Sequence, residues 1–145
     1  MDGDALVSRM ANSITNQALH RSWAVAIAVF AAHNLEETIT FANGWAIHHM
    51  PELSWTAEQW HLFGGAAAAM TLIAGLIAWC LRDRPKQSVF WLRIFLAFML
   101  VNAVWHVGVA VVTTSIAPGV TTAVLLVIPV YAVLLCKLFV ARRGE

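Results

Sequence analysis

Two stretches of this 145-residue chain place side chains that could do chemistry inside otherwise apolar sequence. They are residues 31–41, AAHNLEETITF, and residues 101–114, VNAVWHVGVAVVTT, and the polar residues of interest are His33, Glu36, Glu37, Asn102 and His106. Imidazoles and carboxylates are the groups that most often transfer protons or bind metal ions in proteins. Their chemistry depends on whether the fold brings the two stretches together.

The helical period places the polar residues of each stretch on one face. At about 100° per residue, Glu36 and Glu37 lie on either side of His33, in a stripe about 100° wide. Asn102 and His106 are four residues apart and share a face of a second helix. An ionisable side chain that faces lipid is strongly disfavoured, so both polar faces are expected to face other helices.

The composition is that of an integral membrane protein. Hydrophobic residues make up 60% of the chain, charged residues only 12%, and the mean hydropathy is +0.71. These values exclude a water-soluble domain, whose elements are apolar on one face only. The lipid bilayer is therefore an expected partner, and nucleic acid is not.

Four segments are long enough to cross a hydrocarbon core, which requires about 20 helical residues. They lie near residues 22–43, 60–81, 90–114 and 119–138, separated by segments that contain glycine or proline. The sequence thus predicts an all-α fold, a single domain over residues 1–145 that forms a bundle of four transmembrane helices.

The basic residues near the ends of these segments predict the orientation. Arg9 and Arg21 precede the first span, and Arg82, Arg84 and Lys86 lie between the second and third. Lys137, Arg142 and Arg143 close the chain at the end of the fourth. Because short cytoplasmic segments are enriched in lysine and arginine, both termini are expected to be cytoplasmic. The expected location is the inner membrane of a bacterium.

This orientation makes the depths of the two polar stretches comparable. The first and third spans run in the same direction, and His33 and Asn102 both lie roughly 16 to 18 Å from the cytoplasmic end at 1.5 Å per residue. Glu36, Glu37 and His106 lie deeper. The five residues are therefore expected to form one buried site between the first and third spans.

The motifs resemble those of a known family. H-x-x-E-E stands here as residues 33–37 and N-x-x-x-H as residues 102–106, which is similar to the HXXEE-domain proteins, small bacterial and fungal membrane proteins without an agreed activity. The family's Y-x-P-G motif is represented by Ile116-Ala117-Pro118-Gly119, which keeps the turn and lacks the tyrosine. The resemblance implies a membrane protein and does not specify a reaction.

Adjacent carboxylates at this depth favour a bound cation. Glu36 and Glu37 would repel each other if both were ionised, and a divalent metal would relieve that repulsion. His33, Glu37 and His106 supply nitrogen and oxygen ligands suited to Zn, Fe or Mn, with Glu36 or His61 as possible additional ligands. The carboxylate that is not a ligand could act as a general base, and Asn102 could orient a ligand or donate to an oxyanion.

The preferred hypothesis is a membrane-embedded enzyme, metal-dependent, that acts on a lipophilic small molecule or lipid by hydrolysis or another water- or proton-dependent step. Glu36, Glu37 and Asn102 are its candidate catalytic residues. One alternative is a metal-free acid–base isomerase, cyclase or epoxide-opening enzyme. Others are a proton-coupled transporter or permease, which could act as a homodimer, and a hydrogen-bonded plug that only fixes helix register.

Overall fold

The computed structural model describes residues 3–42, 44, 45, 49 and 56–140, and these residues form helices and turns without a strand. The long helices are α1 (Gly3–Ala42), α2 (Ala57–Cys80), α3 (Pro85–Thr113) and α4 (Val120–Val140). The structure thereby confirms the predicted all-α, four-helix architecture. Helices α3 and α4 are long and apolar enough to cross a membrane, as is α2 from His61 onward.

The helix ends at the loops lie within three residues of the predicted spans, except that α3 begins five residues early, at Pro85. The largest difference is at the start of α1. That helix has 40 residues, about twice the length needed to cross a bilayer. It begins well before residue 22 because residues 3–21 contain no proline that would end a helix. Asn43, the predicted end of the first span, lies outside the described residues, as do Arg142 and Arg143.

Local sequence accounts for the ends of α2 and α3. Thr56 and Gln59 form a capping box, in which each side chain accepts a hydrogen bond from the other residue's backbone N–H. Pro85 opens α3 at a position where its missing N–H costs no helical hydrogen bond. Helix α3 stops at Thr114, which has a left-handed backbone with φ 49°.

Helix α4 is widened by a π turn over Ala123–Val127, in which the N–H of Ile128 donates to the carbonyl of Ala123. Pro129 follows directly and has no N–H to donate to the preceding turn. A proline inside a helix commonly distorts the turn before it, which explains the position of the π turn.

Contacts between the helix ends define an up-and-down bundle. His20 bonds the carbonyl of Arg82 at 3.1 Å, which places the start of the first predicted span beside the loop between α2 and α3. At the opposite end Trp45 donates to Ser115 at 3.1 Å, so the loops that follow α1 and α3 lie together. This is the topology that the four predicted spans require.

Arg93 is a basic residue within the third predicted span. Its guanidinium donates to the carbonyl of Leu138 and lies 4.9 Å from the centre of the Phe139 ring. That carbonyl belongs to the last turn of α4, where carbonyl groups have no partner within the helix. Arg93 therefore ties α3 to the end of α4 beside the cytoplasmic loop predicted from the other basic residues.

The core consists of two seams with alternating spacings of four and three residues. On α1 the buried residues are Leu19, Trp23, Ala26 and Phe30, and on α3 they are Leu92, Leu96, Met99 and Ala103. Helix α4 closes the core with Ala123, Val127 and Tyr131. This spacing keeps one face of each helix against its neighbours over many turns.

Helix α2 packs chiefly on α1, and its contacts with α3 and α4 are at most marginal. The polar link between α2 and α1 is Asn34, whose side-chain amide donates to the carbonyl of Ala67 at 3.1 Å and to the hydroxyl of Thr71 at 2.9 Å. Since lipid provides no hydrophobic force between helices, such bonds and close packing hold the pair together.

Replacing Asn34 with alanine is expected to weaken the docking of α2 on α1. Loss of both side-chain hydrogen bonds should reduce the free energy of unfolding by about 1 kcal/mol, a usual value for interhelical hydrogen bonds in membranes. The measurement is SDS-induced unfolding of the purified protein in mixed micelles. Leu35→Ala is the control, because Leu35 is 61% exposed and should contribute far less. Equal stability of Asn34→Ala and wild type would contradict this role.

Candidate functional site

The two histidines meet because they extend the core seams. His33 follows Phe30 by three residues on α1, and His106 follows Ala103 by three residues on α3. Their ring centres are 4.8 Å apart with an interplanar angle of 80°, and both residues are buried. The packing that aligns the apolar seams therefore brings these imidazoles into edge-to-face contact.

Both ring nitrogens of His33 are engaged by the protein. Nδ1 lies 2.9 Å from the hydroxyl oxygen of Thr122, and Nε2 lies 3.1 Å from the side-chain amide of Asn102. The Thr122 hydroxyl also lies 3.3 Å from the carbonyl of Gly119, to which it donates. With that orientation Thr122 accepts from Nδ1 and Asn102 donates to Nε2, which describes a neutral imidazole.

The turn before α4 passes directly against both imidazoles. Gly119 has a left-handed backbone with φ +77°. A Cβ atom at this position would lie 2.7 Å from Cε1 of His33 and 3.1 Å from Cε1 and Nδ1 of His106. Only glycine satisfies both the backbone conformation and the space that remains.

Glu36 binds the start of α4. Its carboxylate oxygens accept the backbone N–H groups of Thr121 at 3.1 Å and Thr122 at 2.7 Å. The first N–H groups of a helix have no partner within it and carry partial positive charge, so a carboxylate is well stabilised there. Glu36 is thus held against the start of a neighbouring helix, at the residue whose hydroxyl bonds His33.

Glu37 faces His106 instead. Its Oε1 lies 3.8 Å from Nε2 of His106, which is too long for a direct hydrogen bond. The Glu37 side chain is 20% exposed, whereas that of His106 is 9% exposed. The two adjacent carboxylates therefore have different surroundings, one fixed by backbone N–H groups and one beside a histidine.

His33, Glu37 and His106 form a candidate metal-ligand group. Each residue offers one ligand atom, and these three atoms all lie within 4.8 Å of one another. Two imidazoles and a carboxylate are a ligand set of catalytic zinc sites. Ligand atoms about 2.1 Å from a tetrahedral ion are about 3.4 Å from one another, so these three side chains would have to move slightly closer together to bind one. A metal at Nε2 of His33 would also have to replace the bond from Asn102.

The structure brings together the five residues of the predicted site and leaves His61 apart from them. His61 is exposed in the first turns of α2, and the metal-ligand group found among the described residues does not include it. The roles assigned from sequence to Glu36, Glu37 and Asn102 stay predictions. The five residues lie at a common depth, as expected from the comparison of the first and third predicted spans.

Sequence reasoning missed the contribution of α4. The sequence predicts only a turn at Gly119 and no role for Thr121 or Thr122, yet all three contact the site. A signal was available, because a helix that begins just after Pro118-Gly119 presents unpaired N–H groups at its first turn. These groups lie on the same side of the membrane as the deepest residues of the first predicted span.

Gly119→Ala is expected to destabilise the protein by about 1 to 3 kcal/mol, because alanine would have to adopt a left-handed backbone and would clash with His33. Gly108→Ala is the matched control, since Gly108 lies within α3 and a Cβ there meets no atom within 4 Å. That control should be neutral or stabilising by up to about 1 kcal/mol. Thermal unfolding in detergent measures both, and equal effects would contradict the close approach of the turn.

The adjacent carboxylates provide a second comparison. Glu36→Gln should reduce the free energy of unfolding by about 2 kcal/mol, because it removes a charged acceptor from two backbone N–H groups. Glu37→Gln changes the same atoms at the next residue and should cost little, since the described residues donate no hydrogen bond to Glu37. SDS-induced unfolding of the two variants in the presence of a metal chelator tests the difference, because Glu37 is also a candidate metal ligand and bound metal would stabilise the folded state. A greater loss for Glu37→Gln would reverse the assignment of the anchoring carboxylate.

Comparisons with known proteins agree with the motifs. The family described as "Protein of unknown function with HXXEE motif" matches residues 23–134, which is more than half of the chain. This region contains α1 from Trp23 onward, all of α2 and α3, and most of α4, including every residue of the candidate site. No curated protein and no solved structure matches the chain. The chain belongs to the family of proteins with the HXXEE motif.

Proposed function

We propose that this protein is a membrane-embedded, metal-dependent enzyme that acts on a lipophilic small molecule or lipid by hydrolysis or another water- or proton-dependent step. The observation that carries the proposal is the convergence of His33, Glu37 and His106 from two helices, with ligand atoms within 4.8 Å of one another. Ionisable groups inside a membrane domain are costly and usually serve a function.

The bound cation would be Zn, Fe or Mn, held by His33, Glu37 and His106. Such an ion makes bound water more acidic and polarises a carbonyl or similar group. Glu36 keeps α4 in place through Thr121 and Thr122. Thr122 in turn fixes the ring of His33 by the bond to Nδ1, a contact of the kind that orients metal-binding histidines.

Asn102 is proposed to change partners when the site is loaded. In the structure its amide occupies Nε2 of His33 at 3.1 Å. Displacement by a cation would free this amide next to the reacting group, where it could donate to an oxygen that gains negative charge. Asn102 is accordingly a candidate for stabilising the transition state.

A metal-free acid–base enzyme is the second candidate, and the hydrogen bonds of His33 favour it. Both of its ring nitrogens already have protein partners, which leaves Glu37 and His106 as the pair available to a substrate. A substrate atom or water between Oε1 of Glu37 and Nε2 of His106 could exchange a proton with either group. Isomerisation, cyclisation or epoxide opening would then require no cofactor.

The cellular setting follows from the basic residues. We infer that both ends of the chain face the cytoplasm, and that the membrane is the inner membrane of a bacterium. The site then lies in the outer half of the bilayer, where a lipophilic molecule could reach it without leaving the membrane.

Metal analysis of the purified protein tests the preferred mechanism. We expect one divalent metal ion for each chain, and Glu37→Gln or His106→Ala should abolish metal retention while the helices still insert. His61→Ala is the matched control for His106→Ala and should keep its metal, because His61 is exposed and lies outside the ligand group. Inductively coupled plasma mass spectrometry provides the stoichiometry.

Two outcomes would contradict this ligand set. Metal that remains stoichiometric in both the Glu37→Gln and His106→Ala variants would show that other residues bind it. A protein that is folded and active without metal would exclude the metal-dependent mechanism and support proton transfer between Glu37 and His106.

A further inference from the structure

A lateral groove lies between α2 and α3, with α1 as its floor. It exists because α2 packs on α1 and diverges from α3. The groove has a volume of about 290 Å³ and an almost entirely apolar wall. Representative lining residues are Trp23 and Phe30 on α1, Ile73 and Ala74 on α2, and Phe95 and Met99 on α3.

The lateral groove leads along α1 and α3 toward the candidate site. Phe30 and Glu37 are seven residues apart on α1, and Met99 and His106 are seven residues apart on α3. Seven residues are about two helical turns, so each pair shares a helix face with a rise of about 10 Å. The Glu37–His106 pair therefore lies directly above the groove on both helices.

Contacts of α2 also indicate that the groove extends toward the candidate site. Met70 lines the groove and lies between Ala67 and Thr71, which both accept hydrogen bonds from Asn34. The groove therefore reaches the level of Asn34, the residue next to His33. Its outer rim is open, since Ile73 is 55% exposed and Phe98 is 69% exposed on helices long and apolar enough to cross a membrane.

The volume of the groove selects among apolar occupants. An α-helix with its side chains is about 10 Å wide, which makes it a poor match to a groove of about 290 Å³. A hydrocarbon chain is much narrower. The volume is near the lower limit of about 300 Å³ for ligand pockets, which are mostly apolar with a few polar groups at one place.

We propose that the lateral groove binds the hydrocarbon part of a linear lipophilic substrate and presents its polar end to Glu37 and His106. That the bound molecule is a substrate rests on the proposed function. Its binding to the groove does not require catalysis. The substrate class is a long-chain molecule with a terminal hydroxyl, carbonyl or epoxide oxygen. It would enter sideways from the bilayer between α2 and α3.

Tryptophan quenching tests the groove directly. The probe is a long-chain 1-alkanol with a bromine at the far end, which quenches tryptophan emission on contact, added to the full-length protein in nanodiscs. Trp23 is buried and lines the groove, so saturable quenching is expected. Trp91 also lines the groove, so Trp23→Phe and Trp91→Phe together should remove this saturable signal. A bromoalkane of equal length, which has no hydroxyl for Glu37 and His106, should bind several-fold more weakly.

Two substitutions should block the groove at different places. Ala74→Phe fills the groove from its buried wall on α2, and Ile73→Trp narrows its exposed mouth without altering the buried contact of α2 with α1. Each is expected to weaken binding by about tenfold or more, which corresponds to about 1.4 kcal/mol. Ala69→Phe is the matched control because Ala69 is exposed on the face of α2 that carries Leu62, Leu72 and Leu76, and it should change affinity less than about twofold.

The outcomes separate this inference from the proposed function. Quenching that is equal in wild type, Ala74→Phe and Ile73→Trp would overturn the groove, even if the protein contains the expected metal. A dimer that Ile73→Trp disrupts, without saturable quenching, would assign the face to a second copy and also overturn it. Saturable, groove-dependent binding in a protein that holds no metal would support the groove and contradict the metal-dependent enzyme.

Discussion

The contact between the Glu36 carboxylate and the first backbone N–H groups of α4 is the interaction on which the site depends. It satisfies donors of Thr121 and Thr122 that have no helical partner, at a depth where lipid could not satisfy them. The same contact holds the preceding turn so close to the imidazoles that only Gly119 fits. One ion–helix interaction thus places the hydroxyl of Thr122 on His33 and closes the site from one side.

The apolar seams provide the complementary constraint. Their spacing of four and three residues runs through Phe30 into His33 on α1 and through Ala103 into His106 on α3. Packing in a membrane gains little from hydrophobic burial, so close apolar contact and a few buried hydrogen bonds determine the helix register. The Tyr131 hydroxyl, which donates to the carbonyl of Ala26 at 2.6 Å, fixes α4 within the same register.

The peripheral position of α2 gives the bundle an asymmetric shape. Three helices surround the polar site, while α2 is joined to α1 through Asn34 and leaves an apolar groove beside α3. A soluble bundle would cover such a groove to bury its apolar wall, but in a bilayer the wall is already in a compatible solvent. Access from the lipid and a closed polar site can therefore coexist in a small chain, the arrangement on which the proposed enzyme relies.

The sequence by itself determined the helical membrane architecture, the family, and the meeting of His33 and Glu37 with Asn102 and His106. The family follows from the resemblance of the H-x-x-E-E and N-x-x-x-H motifs. The architecture and the meeting of these residues follow from composition, from the period of the helix and from matched depth, which are local or nearly one-dimensional properties. The sequence could not separate the roles of Glu36 and Glu37, because adjacent carboxylates look equivalent until their partners are known. Only the tertiary structure decided that α4 takes Glu36 and leaves Glu37 beside His106, since the rotation and approach of a helix depend on packing over its whole length.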